Sequence, residues 1–175
     1  MLLTILLLIG TIIPCYAGEL PDTGQTQSYT TTFGEDHDYQ PAATQPSYTD
    51  NGNGTITDNR TTLMWVKDGN SAGCNNGATL TWEQALVFCE GLTYAGYSNW
   101  RLPNRREMFS IVAFNTSVPA INTGYFLNTK LTYYWTSTTY IPITTNAWYV
   151  DFSDGTAYGN LKTTPNYVRC VRAGP

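Results

Sequence analysis

The chain has 175 residues, of which 13% are charged and 14% aromatic, and its formal net charge is −4. This length is typical of one domain with a short appendage. The low charge and its negative sign argue against a nucleic-acid-binding protein, which needs a basic surface. Thirteen tyrosines and five tryptophans suit either a recognition surface or the interior of a strand-rich domain.

Residues 1–17, MLLTILLLIGTIIPCYA, form an apolar run that ends in the small residue Ala17. The run is short for a membrane span and is typical of a secretory signal peptide, although no Lys or Arg precedes it. Cys15 allows a lipoprotein signal as an alternative, but Pro14 is unusual beside it. No later stretch is apolar and long enough to cross a bilayer. We therefore expect a secreted or cell-surface protein without a transmembrane segment.

Residues 18–47 are rich in Thr, Gln, Pro and Ser and poor in aliphatic side chains. Every charged residue from Glu19 to Asp58 is acidic, whereas the chain from Arg60 onward carries nine basic and six acidic residues. We expect an acidic, extended N-terminal arm at 18–47 and a folded domain at 48–175. His37 lies among carboxylates in GEDHDY, but consecutive residues rarely converge on one metal ion, so a solvated turn is favoured.

The folded domain begins with strand patterns and continues with two helix patterns. SYTDNGNGTITD predicts two short strands around an Asn-Gly turn, TLMWVKDG a buried strand, and SAGCNNGAT a loop. TWEQALVFCEGL predicts a helix that begins with a capping box of Thr81 and Gln84. Five apolar residues share one face of this helix: Trp82, Ala85, Leu86, Cys89 and Leu92.

A second capping box, Asn104 with Glu107, predicts another helix whose apolar face is Met108, Ile111 and Val112. Residues 115–131 are irregular. YYWTSTTY and NAWYVDFSDG alternate like strands, and AYGNLKTTPNYVRCVR predicts a hairpin-like end. Two helices packed on a twisted antiparallel sheet give an α+β architecture.

Three cysteines follow the signal peptide: Cys74, Cys89 and Cys170. An odd number in an oxidising compartment indicates one disulfide and one remaining thiol. Cys89 lies on the apolar helix face and Cys170 on the core face of the last strand, so these two are natural partners. Two buried free thiols remain the alternative. Cys74 would then be free or would pair with another chain.

Five strings in order resemble the DUF1566 family, which includes the C-terminal module of the Legionella collagen-like adhesin. They are DNGNGTITDNRTTLMW, TWEQALVFCEGLTYAGYSNWRLPNRREM, YYWTSTTY, AWYVDFSDG and NYVRCVR. The resemblance covers about residues 48–172. It implies a C-type lectin-like fold of the formylglycine-generating-enzyme type and a disulfide from helix to last strand. It also implies a surface on the later strands that binds glycans or proteins, although fold alone does not fix function.

Catalysis is not expected. The body of the domain contains no histidine, so a Ser-His or Cys-His pair would require His37. No zinc-ligand cluster occurs, and Cys170 is committed to the disulfide. Calcium-dependent sugar binding is also not expected, because LPN at 102–104 lacks the carboxylate that such a site requires. We therefore expect no cofactor.

A binding surface without metal remains. Its candidate ligand-binding residues are Tyr134, Tyr140, Asn146, Trp148, Tyr158 and Asn160. For Tyr134 and Trp148 in particular, packing inside the domain is the alternative. The basic surplus makes acidic or sulfated polysaccharides reasonable ligands, and its members are Arg101, Arg105, Arg106, Lys130, Lys162, Arg169 and Arg172.

We therefore predict a bacterial adhesion or recognition module that binds a glycan or a protein and no nucleic acid. Two alternatives stay open. One is a variable receptor diversified by a retroelement at positions 133–167. The other is a structural subunit that forms homo-oligomers or filaments through residues 18–47.

Overall fold

The computed structural model describes residues 23–39 and 46–174 and shows an α+β fold with two antiparallel sheets. The α-helices within these residues are α1 (Asp36–Tyr39), α2 (Trp82–Glu90) and α3 (Arg105–Phe109). Its strands are β1 (Tyr48–Asp50), β2 (Thr55–Asp58), β3 (Leu63–Val66), β4 (Tyr133–Thr139), β5 (Asn146–Asp151), β6 (Ala157–Leu161) and β7 (Val171–Ala173). A 3-10 helix at Ala72–Gly77 occupies part of the predicted loop.

The larger sheet has the strand order β1-β2-β3-β7. The predicted Asn-Gly turn connects β1 to β2, and Gly54 within it has a φ of +88°. A Cβ atom at Gly54 would lie 2.4 Å from the Tyr94 hydroxyl oxygen, so the turn needs glycine for two reasons. Strand β3 is buried as predicted, with Trp65 and Val66 fully inaccessible.

The smaller sheet has the order β4-β5-β6 and corrects two expectations about the C-terminal third. The strands form two sheets rather than one, and the chain end is not a hairpin, because β6 pairs with β5 while β7 pairs with β3. The segment between β6 and β7 forms two isolated β-bridges, one from Asn166 to Leu80, just before α2, and one from Tyr167 to Tyr134 of β4. Alternation of apolar and polar side chains predicts a strand but does not identify the strand with which it pairs.

Both predicted capping boxes are present at the starts of α2 and α3. The Thr81 N–H donates to Gln84 Oε1 at 3.0 Å, and in α3 the Asn104 N–H donates to Glu107 Oε2 at 2.8 Å. The Glu107 N–H donates back to Asn104 Oδ1 at 3.0 Å. Helix α3 is short, so the predicted apolar residues Ile111 and Val112 lie beyond its end, although both are buried.

The predicted disulfide joins Cys89 of α2 to Cys170, with 5.6 Å between their Cα atoms. Both cysteines are fully buried, as is Ala85 on the same helix face, while Trp82 and Leu86 are partly buried. Of the two alternatives left open for Cys74, the structure shows a free thiol, and this thiol is only 1% exposed. A buried sulfur cannot reach a second molecule without local opening.

The N-terminal arm is only partly extended where the structure describes it. It contains α1, and the Phe114 N–H donates to the Thr23 carbonyl at 3.2 Å, which attaches the arm to the domain. The Tyr29 N–H donates to the Glu35 carboxylate. The predicted signal peptide lies outside the described residues and stays a prediction. Within the described ranges, no helix is sufficiently long and apolar for a bilayer span.

Candidate functional site

An exposed apolar loop connects β4 to β5 at one end of the smaller sheet. We call residues 140–145 the hairpin tip. The Tyr140 N–H donates to the Asn146 carbonyl at 3.0 Å and the Asn146 N–H to the Ile143 carbonyl at 2.9 Å, so the backbone of the tip is ordered. Ile141 is nevertheless 75% exposed and Ile143 53% exposed. Side chains of this kind on an ordered loop indicate a contact surface.

An aromatic cluster lies against the hairpin tip. The rings of Tyr140 and Trp148 are 4.8 Å apart between centroids and meet edge to face, and the Tyr158 ring is 5.8 Å from that of Tyr140. Gly159 pairs with Trp148 across the sheet, and a Cβ atom there would lie 2.7 Å from the Tyr140 ring. The missing side chain of Gly159 therefore makes room for the cluster.

Arg105, at the first turn of α3, covers Trp148. Its guanidinium carbon lies 3.8 Å from the centroid of the indole ring, which is a cation–π contact. The Arg105 N–H donates to Thr138 Oγ1 at 3.0 Å, which attaches the start of the helix to the end of β4. The predicted cap at Asn104 thus places a cation on the aromatic cluster.

A second cation–aromatic pair occurs at the same end of β4. Lys162 Nζ lies 4.2 Å from the centroid of the Trp82 ring and donates to Thr139 Oγ1 at 3.1 Å. Trp82 Nε1–H donates to the Thr136 carbonyl at 2.8 Å, which fixes the indole. Arg105 and Lys162 are therefore anchored at consecutive residues, Thr138 and Thr139.

Together, the hairpin tip, the aromatic cluster and these two cations form what we call the cationic tip. Residues 136–148 and 157–167, which supply most of it, contain no Asp or Glu. The nearby hydroxyl of Tyr158 raises the pKa of Tyr140, so the Tyr140 phenol is neutral at physiological pH. The surface thus presents positive charge, aromatic rings and aliphatic side chains together.

The structure brings three of the six predicted ligand-binding residues into this surface: Tyr140, Trp148 and Tyr158. Asn146 and Asn160 lie beside it on β5 and β6, and Asn160 Oδ1 accepts from the Leu161 N–H at 2.9 Å. These placements do not test binding, so the five residues stay candidates.

Tyr134 belongs to the core instead. It is 1% exposed, its hydroxyl accepts a hydrogen bond from the Lys130 N–H at 2.8 Å, and its ring contacts Phe152 and Tyr167. The sequence allowed packing inside the domain as the alternative for Tyr134, and the structure shows this alternative. A side chain so enclosed cannot contact a ligand on the surface.

Part of the predicted basic surface is also interior or already paired. Arg169 is fully buried and donates to the Val66 and Lys67 carbonyls. Arg172 is 8% exposed and lies over the Tyr97 ring. Arg101 forms a two-pronged ion pair with Glu107, with both N–O distances at 2.7 Å. These arginines are therefore not freely available to an external anion. For Arg169, a signal was present in the sequence, because this residue lies between two buried neighbours, Val168 and Cys170, in YVRCV.

The free thiol of Cys74 does not have the environment of a nucleophile. Burial raises its pKa to about 11, although the positive charge of Arg169 partly opposes the rise. In the part of the chain that the structure covers, no three His, Cys, Asp or Glu side chains are grouped so that they could hold a metal.

The family model of the Lcl C-terminal domain matches residues 54–172. The chain belongs to this family. The family corresponds to DUF1566, the C-terminal module of the Legionella collagen-like protein, which confirms the predicted resemblance. The matched range runs from the turn before β2 into β7 and includes the whole cationic tip. No curated protein shows significant similarity to the chain. An adhesin-related domain is compatible with a secreted or surface protein.

Proposed function

We propose that the chain is an exported, non-catalytic adhesion module whose cationic tip binds an acidic glycan. The observation that carries this proposal is the stacking of Arg105 on Trp148, 3.8 Å from its centroid, beside two further aromatic rings. Aromatic rings contact the C–H faces of sugars, and a guanidinium binds a sulfate or carboxylate with two parallel hydrogen bonds. The same surface therefore offers both groups that an acidic polysaccharide requires.

The absence of acidic residues from residues 136–148 and 157–167 supports an anionic ligand. The chain as a whole carries a net charge of −4, so a long-range attraction must come from a local patch of positive charge. Arg105 is exposed at the cationic tip, and Lys162 is half-buried there. Such a patch increases the association rate of an anion and does so less at high ionic strength.

A C-type lectin-like fold is part of the proposal. Strand β7 pairs with β3, so the last strand joins the sheet formed by the first strands. The disulfide from α2 to Cys170 agrees with what the DUF1566 resemblance implies for that fold. Both features hold the larger sheet together and leave the smaller sheet as the presenting surface.

Binding to immobilised dextran sulfate, with unsulfated dextran as the matched neutral polymer, tests the proposal. We expect binding to dextran sulfate alone, an affinity that falls as salt is raised, and no effect of EDTA. Arg105→Ala removes the cation from Trp148 and is expected to weaken binding about tenfold. Arg106→Ala is the control, because Arg106 is the exposed neighbour of Arg105 on the same helix.

Three results would contradict the proposal. The first is equal binding to dextran and dextran sulfate, because the cations would then be irrelevant. The second is an equal loss from Arg105→Ala and Arg106→Ala, because the stacked cation would then have no special role. The third is sensitivity to EDTA, because it would indicate a metal-dependent site.

A protein ligand is the second candidate, and the exposure of Ile141 and Ile143 favours it. Aliphatic side chains are more typical of protein contacts than of sugar contacts. Ile141→Ser combined with Ile143→Ser separates the two candidates. A glycan that binds through the rings and cations is expected to lose little affinity, whereas a protein ligand that covers the hairpin tip is expected to lose most of its affinity.

A further inference from the structure

A cavity of about 580 Å³ lies where the N-terminal arm meets the loop after α3. Its floor contains the aromatic ring of Tyr48 and the buried aliphatic side chains of Val112 and Ile121. One wall is formed by Gly24 and Thr26 of the arm. The volume falls within the range of pockets that bind small molecules.

The rim of this cavity, which we call the arm cavity, consists of short polar side chains. Asn115, Thr116 and Ser117 lie on one loop, and Asn122 and Thr123 lie on the next. All five are exposed. They offer hydroxyl and amide groups that both donate and accept hydrogen bonds.

The arm is held in place as the wall of the cavity rather than lying loosely near it. The Phe114 N–H donates to the Thr23 carbonyl at 3.2 Å, and the Thr23 hydroxyl donates to the Asp36 carboxylate. Gly24 is buried and has a φ of +85°. A Cβ atom on Gly24 would lie 3.0 Å from the Asn115 side chain, so glycine permits the close approach of the arm to the loop.

Among the residues that the structure describes, none that lines the arm cavity carries a charge. An anion or cation entering it would leave water without an opposite charge to replace its hydration, which is costly. A neutral ligand with many hydroxyl groups can instead bond to the amides and hydroxyls of the rim. Its C–H surface can pack on the apolar floor, where a tyrosine ring offers a suitable partner.

We propose that the arm cavity binds a neutral saccharide, with the N-terminal arm as one wall of the site. This site is separate from the cationic tip in position and in charge preference. Its lining residues are on the arm, before β1 and in β1, and in the segment from 112 to 123, whereas the cationic tip is built from β4, β5, β6 and the starts of α2 and α3. The two proposals therefore succeed or fail independently.

Nuclear magnetic resonance of the 15N-labelled chain tests this site with named probes. Glucose, galactose and N-acetylglucosamine are the neutral sugars, and glucuronate is the charged match of glucose. At millimolar concentration we expect at least one neutral sugar to shift the backbone amides of Ala113, Asn115 and Thr123. We expect glucuronate to bind at least about tenfold more weakly than that sugar.

Two variants and two controls connect the shifts to the cavity. Thr123→Trp places a large side chain at the rim and is expected to lower affinity about tenfold or more, whereas Thr93→Trp, at an exposed position outside the cavity, leaves it unchanged. Gly24→Val displaces the arm and is expected to abolish binding even if the rim remains folded. Arg105→Ala is expected to have no effect, which separates this site from the cationic tip.

The inference is overturned if none of the three neutral sugars shifts these amides, or if glucuronate binds as tightly as the neutral sugar that does. It is also overturned if Gly24→Val leaves the shifts intact, because the arm would then not be a wall of the site. Binding of an uncharged peptide at the same amides, without any sugar effect, would assign the cavity to a different class of ligand.

Discussion

The two sheets of this molecule bury their side chains to very different extents. In the larger sheet, Trp65 and Val66 are inaccessible, and β7 continues from the disulfide-bonded Cys170. In the smaller sheet, Tyr134 and Trp135 of β4 are buried, whereas Ile141 of the hairpin tip is 75% exposed and Tyr158 of β6 is 61% exposed. Buried packing is therefore concentrated in one region and exposed aromatic and aliphatic side chains in the other, which is the division that the proposed function requires.

The arginines show the same contrast within one residue type. Arg169 is fully buried and bonds to backbone carbonyls, whereas Arg105 is exposed and lies on Trp148. The first holds the end of β3 to the rest of the core, and the second is the exposed cation of the proposed binding surface. If this comparison is right, substitutions in the two regions will change different measured quantities.

The largest expected effect is loss of the disulfide. The bond joins two cysteines that are 81 residues apart in sequence. The entropy that such a cross-link removes from the unfolded chain stabilises the fold by about 4–5 kcal/mol. Cys89→Ala combined with Cys170→Ala should lower the free energy of unfolding in urea by about that amount. Adding a reductant should destabilise the native chain and leave the double variant unchanged. A loss below about 1 kcal/mol would contradict the role assigned to the bond.

Arg169→Met should give the next largest loss. The carbonyl oxygens of Val66 and Lys67 and the Thr129 hydroxyl would lose their donor while they remain buried or partly buried. The expected cost is about 3 kcal/mol in the free energy of unfolding. Arg106→Met is the exposed control, with an expected change within about 0.5 kcal/mol. Similar costs for the two variants would show that the burial of Arg169 has no energetic consequence.

Sequence patterns predicted the first half of the fold well because its signals are local. Capping boxes at Thr81 and Asn104 involve side chains three residues apart, and the apolar face of α2 placed Cys89 in the core. The partner of β7 could not be predicted in the same way. Pairing of β7 with β3 joins positions more than one hundred residues apart, and nothing in NYVRCVR distinguishes that partner from β6.

The candidate site shows a similar limit. Aromatic residues of the last third were predicted as a group, but the alternation of YYWTSTTY cannot tell which face of a strand another element covers. Tyr134 is covered by Phe152 and Tyr167, whereas Tyr158 is not buried. The stacking of Arg105 on Trp148 joins residues 43 positions apart and depends on where α3 begins. Charge counts alone could not separate Arg105 from Arg169.

Glu107→Gln tests a smaller contribution that changes with pH. Burial opposes ionisation of Glu107, but the hydrogen bonds from Arg101 and from the Asn104 N–H outweigh it and lower the pKa of the carboxyl. A lowered pKa stabilises the folded chain above the ordinary pKa of glutamate, about 4.3, and this contribution is lost as pH falls through the folded value. The variant should cost about 1 kcal/mol at pH 7 and less in acid.

The free energy of unfolding of Glu107→Gln is therefore measured beside that of the native chain at pH 7 and again at about pH 3, and the two differences are compared. A difference that stays constant, or grows in acid, would mean that the ion pair with Arg101 is not the source of the cost. Glu107 lies in the first turn of α3, which also carries Arg105. A weaker capping box should therefore also reduce binding at the cationic tip slightly.

The smallest expected effect on stability belongs to Tyr158, and it decides whether the two regions are functionally distinct. Tyr158→Ala removes a 61% exposed ring, so its free energy of unfolding should change by no more than about 0.5 kcal/mol while affinity for dextran sulfate falls several-fold. Tyr134→Phe removes only the buried hydroxyl that accepts the Lys130 N–H, so it should cost about 1 kcal/mol and leave affinity unchanged. Equilibrium unfolding and binding of both variants, measured side by side, give four values. If Tyr134→Phe weakens binding as much as Tyr158→Ala does, the ligand senses the packing of the whole sheet, and the division between scaffold and contact surface is wrong.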